Sequence, residues 1–185
     1  MKKNFIEVYD DMFEPELTNH LESVFFNHEG SYPKLEYNQI DNLTGTEEKG
    51  DNPDKGLGNE FYFDNKHLGE AVYLLQPFYH FCFSKNINPL FIIKGRYYLQ
   101  HPTNKIHVQP PHVDIDWPHW VFLYYVNDSE GETVFYNEQK EEIKRVTPKK
   151  GRACFFDGSI YHSASTPNIT SRAVININFI GKPWK

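Results

Sequence analysis

The sequence predicts a mainly β fold with helices confined to its N-terminal half, an α+β arrangement. Aromatic residues make up 16% of the 185-residue chain, with 15 Phe and 12 Tyr, and broad side chains suit the pleated surface of strands. From Leu90 onward, short alternating apolar runs are separated by turn residues, a spacing that belongs to sandwiches and barrels. Before that point the apolar residues recur at helical intervals instead.

The elements follow in order. A weak alternation over Asn4 to Asp10 predicts a first strand. Glu14-Pro15-Glu16 opens a helix, with proline in the first turn and acids at the positive end of the dipole. Leu17, Leu21, Val24 and Phe25 keep the helical spacing, and Gly30 offers a stop. A second helical pattern runs from about Asn65 to Lys85, with Leu68, Ala71, Val72, Leu75, Phe78 and Cys82 on one side. Pro77 interrupts it and predicts a kink or two shorter helices. Between the helices, Tyr37 to Glu60 is polar, glycine-rich and aperiodic. A loop that long is a lid or a disordered segment, so a mobile loop is placed at about 38–60.

Strands are then predicted over Leu90–His101, within Lys105–Asp114, and over His119–Asn127. Asp128-Ser129-Glu130-Gly131 forms a turn, and Glu132–Asn137 is expected to return as a hairpin partner. Glu142–Val146, Arg152–Asp157, Ile160–Ser165 and Ser171–Ile180 complete the set. The helices should pack on one outer face of the sheets. One domain spans 1–185, with 1–89 as helical support and 90–181 as the β core.

The formal charge of −6 opposes nonspecific nucleic-acid binding. The basic run Lys140 to Arg152 reads as the solvated flank of a hairpin. Cys82 and Cys154 both sit in apolar company, which predicts buried, reduced thiols and a cytoplasmic setting. The start Met1-Lys2-Lys3-Asn4-Phe5 lacks the apolar run of a signal peptide, and no stretch approaches the length of a membrane span.

The chemistry centres on Pro111-His112-Val113-Asp114. A histidine and a carboxylate two residues apart on extended backbone point the same way, which is half of a metal site. His162 is the candidate second histidine, and Arg172 follows it ten residues later. Two histidines and a carboxylate leave open positions on a metal, the arrangement of non-haem Fe(II) oxygenases. His20, His28, His67 and His80 fall in the helical half and are read as solvent or packing residues. His119 with Asp116 makes a poorer pair, because Pro118 breaks the strand there and Trp117 crowds it. In the last strand Ala173, Ile175, Ile177 and Phe179 form an apolar face, opposite Arg172, Val174, Asn176 and Asn178. That second face lines a polar pocket or meets solvent; spacing alone leaves both open.

The pattern His-X-Asp, a histidine about fifty residues on, and an arginine ten residues after it resembles the Fe(II)- and 2-oxoglutarate-dependent dioxygenases. The text between is similar to their prolyl-4-hydroxylase-like branch. It comprises Phe122-Leu123-Tyr124-Tyr125-Val126-Asn127, Gly131-Glu132-Thr133-Val134-Phe135, and the stretch from Val146-Thr147-Pro148 through Gly151 to Phe156. The likeness covers about Leu90 to Ile180.

The resemblance implies a double-stranded β-helix, or jelly roll, in which His112, Asp114 and His162 hold Fe(II). It further implies that Arg172 forms a bidentate pair with the far carboxylate of 2-oxoglutarate, that the Tyr125 hydroxyl reaches the same carboxylate, and that Asn176 belongs to the co-substrate site. Leu99 and His101 should face the site; a one-residue slip would substitute Tyr98 and Gln100. O2 is the oxidant, and ascorbate is an accessory reductant of such enzymes. The implied reaction hydroxylates an unactivated C–H bond, of a prolyl or other amino-acid residue by analogy, and releases succinate and CO2. Asp114 favours hydroxylation, since halogenating relatives lack that carboxylate. The expected partner is a peptide, a protein or a small amino acid rather than nucleic acid, with Trp117 and Trp120 near the metal. The sequence does not indicate an oligomeric state. A cupin-like metal dioxygenase that does not use 2-oxoglutarate, and a non-enzymatic jelly-roll binding module, are the alternatives.

Overall fold

The computed structural model describes residues 5–26, 35, 38–40, 56–68 and 71–183. In chain order they form β1 (Ile6–Tyr9), α1 (Pro15–Phe26), β2 (Asn38–Ile40), β3 (Gly56–Phe63), β4 (Lys66–His67), a 3-10 turn (Ala71–Leu75) and α2 (Gln76–Ser84). Then come β5 (Ile87–Gln100), β6 (Trp120–Tyr125), β7 (Thr133–Tyr136), β8 (Glu142–Val146), β9 (Ala153–Asp157), β10 (Tyr161–Ala164) and β11 (Arg172–Pro183). The larger sheet runs β1-β9-β6-β11-β5-β3-β2, with β4 added to β3, and the smaller one runs β10-β7-β8. All pairings are antiparallel, and the two sheets form the double-stranded β-helix.

Period-two alternation divides each central strand between two cores. On the outer face of the larger sheet, Phe122, Tyr124, Phe155, Ile175, Ile177 and Phe179 pack against Leu21 and Phe25 of α1 and Phe78 and Phe81 of α2. Phe81 lies 4.9 Å from Phe122 and Phe78 lies 4.8 Å from Phe179, between ring centroids. Each such ring contributes about 1.5–3 kcal/mol when fully buried. On the inner face, Val121, Leu123, Tyr125, Phe156 and Val174 meet Phe135 and Val146 of the smaller sheet.

The N-terminal half differs from its periodicity. Lys66–His67 is a short strand on β3; beyond it the expected alternative of two shorter helical elements forms, the 3-10 turn over Ala71–Leu75 and then α2, with Pro77 in the first turn of α2. That position tolerates proline because its missing N–H has no partner to lose. The ends of the expected 38–60 loop are paired strand, Asn38–Ile40 against Gly56–Gly58. Residues 41–55, with the expected lid, and the Gly30 stop lie outside the described residues.

Two strand expectations are corrected. β7 is no hairpin partner of β6; it pairs with β8 and β10 in the other sheet. The turn at 128–131 therefore carries the chain from one sheet to the other. Within 105–114 the backbone makes only two isolated bridges, Val108 with Ser165 and His112 with His162. Pro110 and Pro111 lie between them, and a residue without an N–H cannot extend a ladder. Among the described residues no helix is long and apolar enough to cross a membrane.

Candidate active site

A solvent-open cleft lies between the sheets. Its walls include Tyr98, Gln100, Arg172, Val174 and Asn176 from the larger sheet, and Thr133 and His162 from the smaller.

At one end stand His112, Asp114 and His162, whose ligand atoms all lie within 4.8 Å of one another. The two histidines come together because their backbones exchange hydrogen bonds, His112 N–H to His162 O at 3.0 Å and the reverse at 2.9 Å. The carboxylate lies 3.8 Å from Nε2 of each imidazole. Nδ1 of His162 faces the Ile160 carbonyl at 3.0 Å and Nδ1 of His112 faces the Pro110 carbonyl at 3.3 Å. A carbonyl only accepts, so these nitrogens carry the hydrogen, and Nε2 of each ring is the atom turned toward Asp114.

Burial lowers the His162 pKa to about 4, against the opposing attraction of Asp114, so the ring is neutral at neutral pH. Burial alone would raise Asp114. The imidazoles and the amides of Asn176 and Asn178 outweigh it and hold the carboxyl at about 2. Two imidazoles and an ionised carboxylate, with no Lys or Arg on that carboxylate among the described residues, are a donor set that fits a divalent cation.

At the other end Arg172, 4% exposed, donates from Nη1 to Gln100 Oε1 and from Nη2 to Thr133 Oγ1, both at 3.0 Å. It makes no ion pair among the described residues, and its Nε has no partner. Burial lowers its pKa, the expected response of an uncompensated cation. Tyr125 donates to the same Thr133 oxygen at 2.7 Å, and its ring lies 5.8 Å from the guanidinium.

Several expected site residues take other places. Leu99 belongs to the helix-side core, and His101 is exposed beyond the end of β5. Gln100 pairs with Arg172 and Tyr98 with Val174, so Tyr98 and Gln100 share the inward face of β11. The one-residue alternative is therefore the register that forms. The Tyr125 hydroxyl reaches Thr133, and its own ring does not line the cleft. Asn176 lines the cleft, but its amide serves Asp114 at 3.1 Å. Trp120 packs against Phe155 on the outer face at 5.0 Å, away from the site, while Trp117 is exposed. His119 is buried over Gly158 and is not among the metal-competent cluster.

Sequence reasoning missed Thr133 and Gln100 as partners of Arg172, and Asn178 as a partner of Asp114. Thr133 lay within the Gly131-Glu132-Thr133 segment already quoted for its resemblance, and Asn178 lies two residues beyond Asn176 on the same face. Both were within reach of period-two reading.

A jelly roll whose cleft holds two histidines and a carboxylate at one end defines a non-haem Fe(II) oxygenase. Residues 95–180 match the model of the 2OG-Fe(II) oxygenase superfamily, and this segment, which carries all three candidate ligands and Arg172, belongs to that family. The chain is thus a 2-oxoglutarate-dependent dioxygenase, of a family that uses Fe(II), 2-oxoglutarate and O2.

Three solved structures show the same fold at low identity. A 2OG-Fe(II) oxygenase family oxidoreductase from Burkholderia pseudomallei is 10% identical, with TM-score 0.65 over 94% of this chain and 84% of that one. A Pseudomonas putida prolyl-4-hydroxylase is 13% identical, with TM-score 0.60 over 94% and 91%. A Trichoplax adhaerens prolyl hydroxylase, in complex with a hypoxia-inducible-factor oxygen-degradation-domain peptide fragment, is 13% identical, with TM-score 0.60 over 96% and 84%. No curated protein sequence matches the chain.

Proposed function

We propose that this oxygenase hydroxylates an unactivated C–H bond of a peptidyl or free amino-acid substrate, a prolyl residue by analogy, with release of succinate and CO2. The observation that carries the co-substrate half of this reading is the buried Arg172, which has no ion pair among the described residues, in the same cleft as His112, Asp114 and His162. A buried guanidinium without a counter-ion is costly, and a dicarboxylate relieves it. The prolyl hydroxylases of similar fold, one with a peptide bound, support the substrate class.

His112, His162 and Asp114 would hold Fe(II), which supplies O2 activation coupled to oxidative decarboxylation of 2-oxoglutarate. The chain's own residues do the rest. Nδ1–H bonds to backbone carbonyls keep both imidazoles in the ligating tautomer. Arg172 supplies the charge for the distal carboxylate. Thr133 Oγ1 accepts from both Arg172 and Tyr125, so its own hydrogen remains free to donate toward the cleft. Val174, Leu123 and Phe156 add apolar surface to the cleft lining.

Succinate release, screened across prolyl peptides, free amino acids and oligonucleotides, tests the reading. Peptide- or amino-acid-dependent succinate is expected, and release that responds only to oligonucleotides overturns the substrate class. Anaerobic Fe(II) with 2-oxoglutarate should give a weak visible charge-transfer band; no band at saturating ligand would assign the fold to a binding module.

A further inference from the structure

Two asparagines on β11 converge on one oxygen of Asp114. Nδ2 of Asn176 and Nδ2 of Asn178 each donate to Oδ2 at 3.1 Å. Asn178 also donates from the same nitrogen to Asn176 Oδ1 at 2.6 Å. An amide nitrogen has two hydrogens, so one goes to each acceptor. The arrangement sets its own orientation: with Asn176 Oδ1 occupied by Asn178, the Asn176 nitrogen must be the end that meets the carboxylate. No hydrogen bond reaches Oδ1 of Asp114 among the described residues; Oδ1 lies 3.8 Å from His112 Nε2, and Oδ2 lies 3.8 Å from His162 Nε2.

The arrangement also has a cost. Asn178 is 2% exposed, and its Oδ1 has no partner among the described residues. A buried acceptor without a donor is unfavourable by about 1–3 kcal/mol. A hydrophobic residue at this strand position would avoid that loss, and its neighbours on the opposite face are Ile177 and Phe179, both fully buried. The cost is intelligible if the amide has a task at Asp114 beyond filling space.

We propose that Asn176 and Asn178 are positioning residues that hold Oδ2 of Asp114 and thereby fix the orientation in which its carboxylate meets the metal. The inference rests on the reading of His112, Asp114 and His162 as a metal site. It assigns to β11 a second duty beside Arg172, since the amides and the guanidinium stand on the same face of one strand. A carboxylate held through one oxygen by two amides cannot turn freely, so its approach to a metal is set before the metal arrives.

The test is metal binding by the full chain without turnover. Mn(II) and Co(II) dissociation constants are measured anaerobically for the wild type, Asn176→Leu and Asn178→Leu, together with the Co(II) visible spectrum. Each variant should bind about tenfold to a hundredfold more weakly, and its Co(II) band should change shape as the carboxylate binding mode changes. Affinities within twofold of wild type overturn the proposal. An unchanged Co(II) band, even with weaker binding, assigns the asparagines to stability alone and also overturns it. If Asn178→Leu does not fold, Asn176→Leu at the cleft wall carries the same measurement. A wild-type protein that binds neither ion overturns the metal reading itself, and this inference with it.

Discussion

His112 and His162 bond to each other through their backbones in both directions, at 3.0 and 2.9 Å, in an isolated bridge outside any ladder. The two imidazoles, 4.9 Å apart between centroids, are thus set by one local pairing rather than by two independent strands.

The first prediction concerns that pair. A ligand that binds only the folded state stabilises it by about 2.7 kcal/mol at one hundred times its dissociation constant. Mn(II) should therefore raise the melting temperature of the wild type measurably. His112→Ala and His162→Ala should each abolish the increase, and Asp114→Ala should lower metal occupancy and end succinate formation. Differential scanning fluorimetry with and without Mn(II) makes the comparison. A Mn(II)-dependent shift retained in His162→Ala would remove that residue from the ligand set.

Arg172→Met should weaken 2-oxoglutarate binding without unfolding the protein. A hydrogen bond to a charged group contributes about 1.5–3 kcal/mol, or roughly tenfold to a hundredfold in affinity. Arg172→Lys should recover part of this, because it restores the charge but not the planar fork. Titration of the anaerobic charge-transfer band reads both. Unchanged affinity in Arg172→Met would remove Arg172 from the co-substrate site.

Cys82 and Cys154 are both buried and free. Burial pushes both thiols up to about 12. Thiolate is the reactive form, so neither should react with a disulfide reagent at pH 8 in the native state, and both should react in denaturant. The linkage has a definite sign. The native state favours the neutral thiol, so this contribution to stability is complete below the ordinary thiol value of 9.0 and is lost as pH rises from there toward about 12. Rapid native labelling at pH 8 would show that the burial is wrong.

Gly158 lies against the buried His119 ring, and a Cβ there would collide with His119 Nε2. Gly158→Ala must displace that ring or the turn before β10. Overpacking of this kind costs about 1–3 kcal/mol, which for a chain of this size is a fall of several degrees in melting temperature. A thermal melt within a degree of wild type would mean that the ring moves freely.

Much of the larger sheet was legible because its strands alternate. The inward and outward residues of β11 were separable from the sequence, and His112-Val113-Asp114 already placed two candidate ligands on one side. Register on β5 was not legible. Tyr97, Tyr98 and Leu99 are three large residues in succession, so the strand carries no parity of its own; its pairing to β11 decides which of them face the cleft. The partner of β7 was hidden for a related reason. A turn that reverses the chain within one sheet and a turn that carries it to the other use the same residue types, and only long-range packing separates them. The Gln100–Arg172 contact joins residues 72 positions apart, beyond the reach of local pattern.

The same strand that carries Arg172 carries Asn176 four positions on. Backbone rise in an extended strand is about 3.3 Å per residue, so the two ends of the cleft are separated by a backbone yardstick of about 13 Å that no side-chain motion can lengthen. Because β11 is hydrogen-bonded on both sides, to β5 and β6, that yardstick is stiff. Chain length should then be the property by which this enzyme tells one 2-oxo dicarboxylate from another. Oxaloacetate, one carbon shorter, and 2-oxoadipate, one carbon longer, should both compete poorly with 2-oxoglutarate in the charge-transfer titration, although they present the same terminal groups.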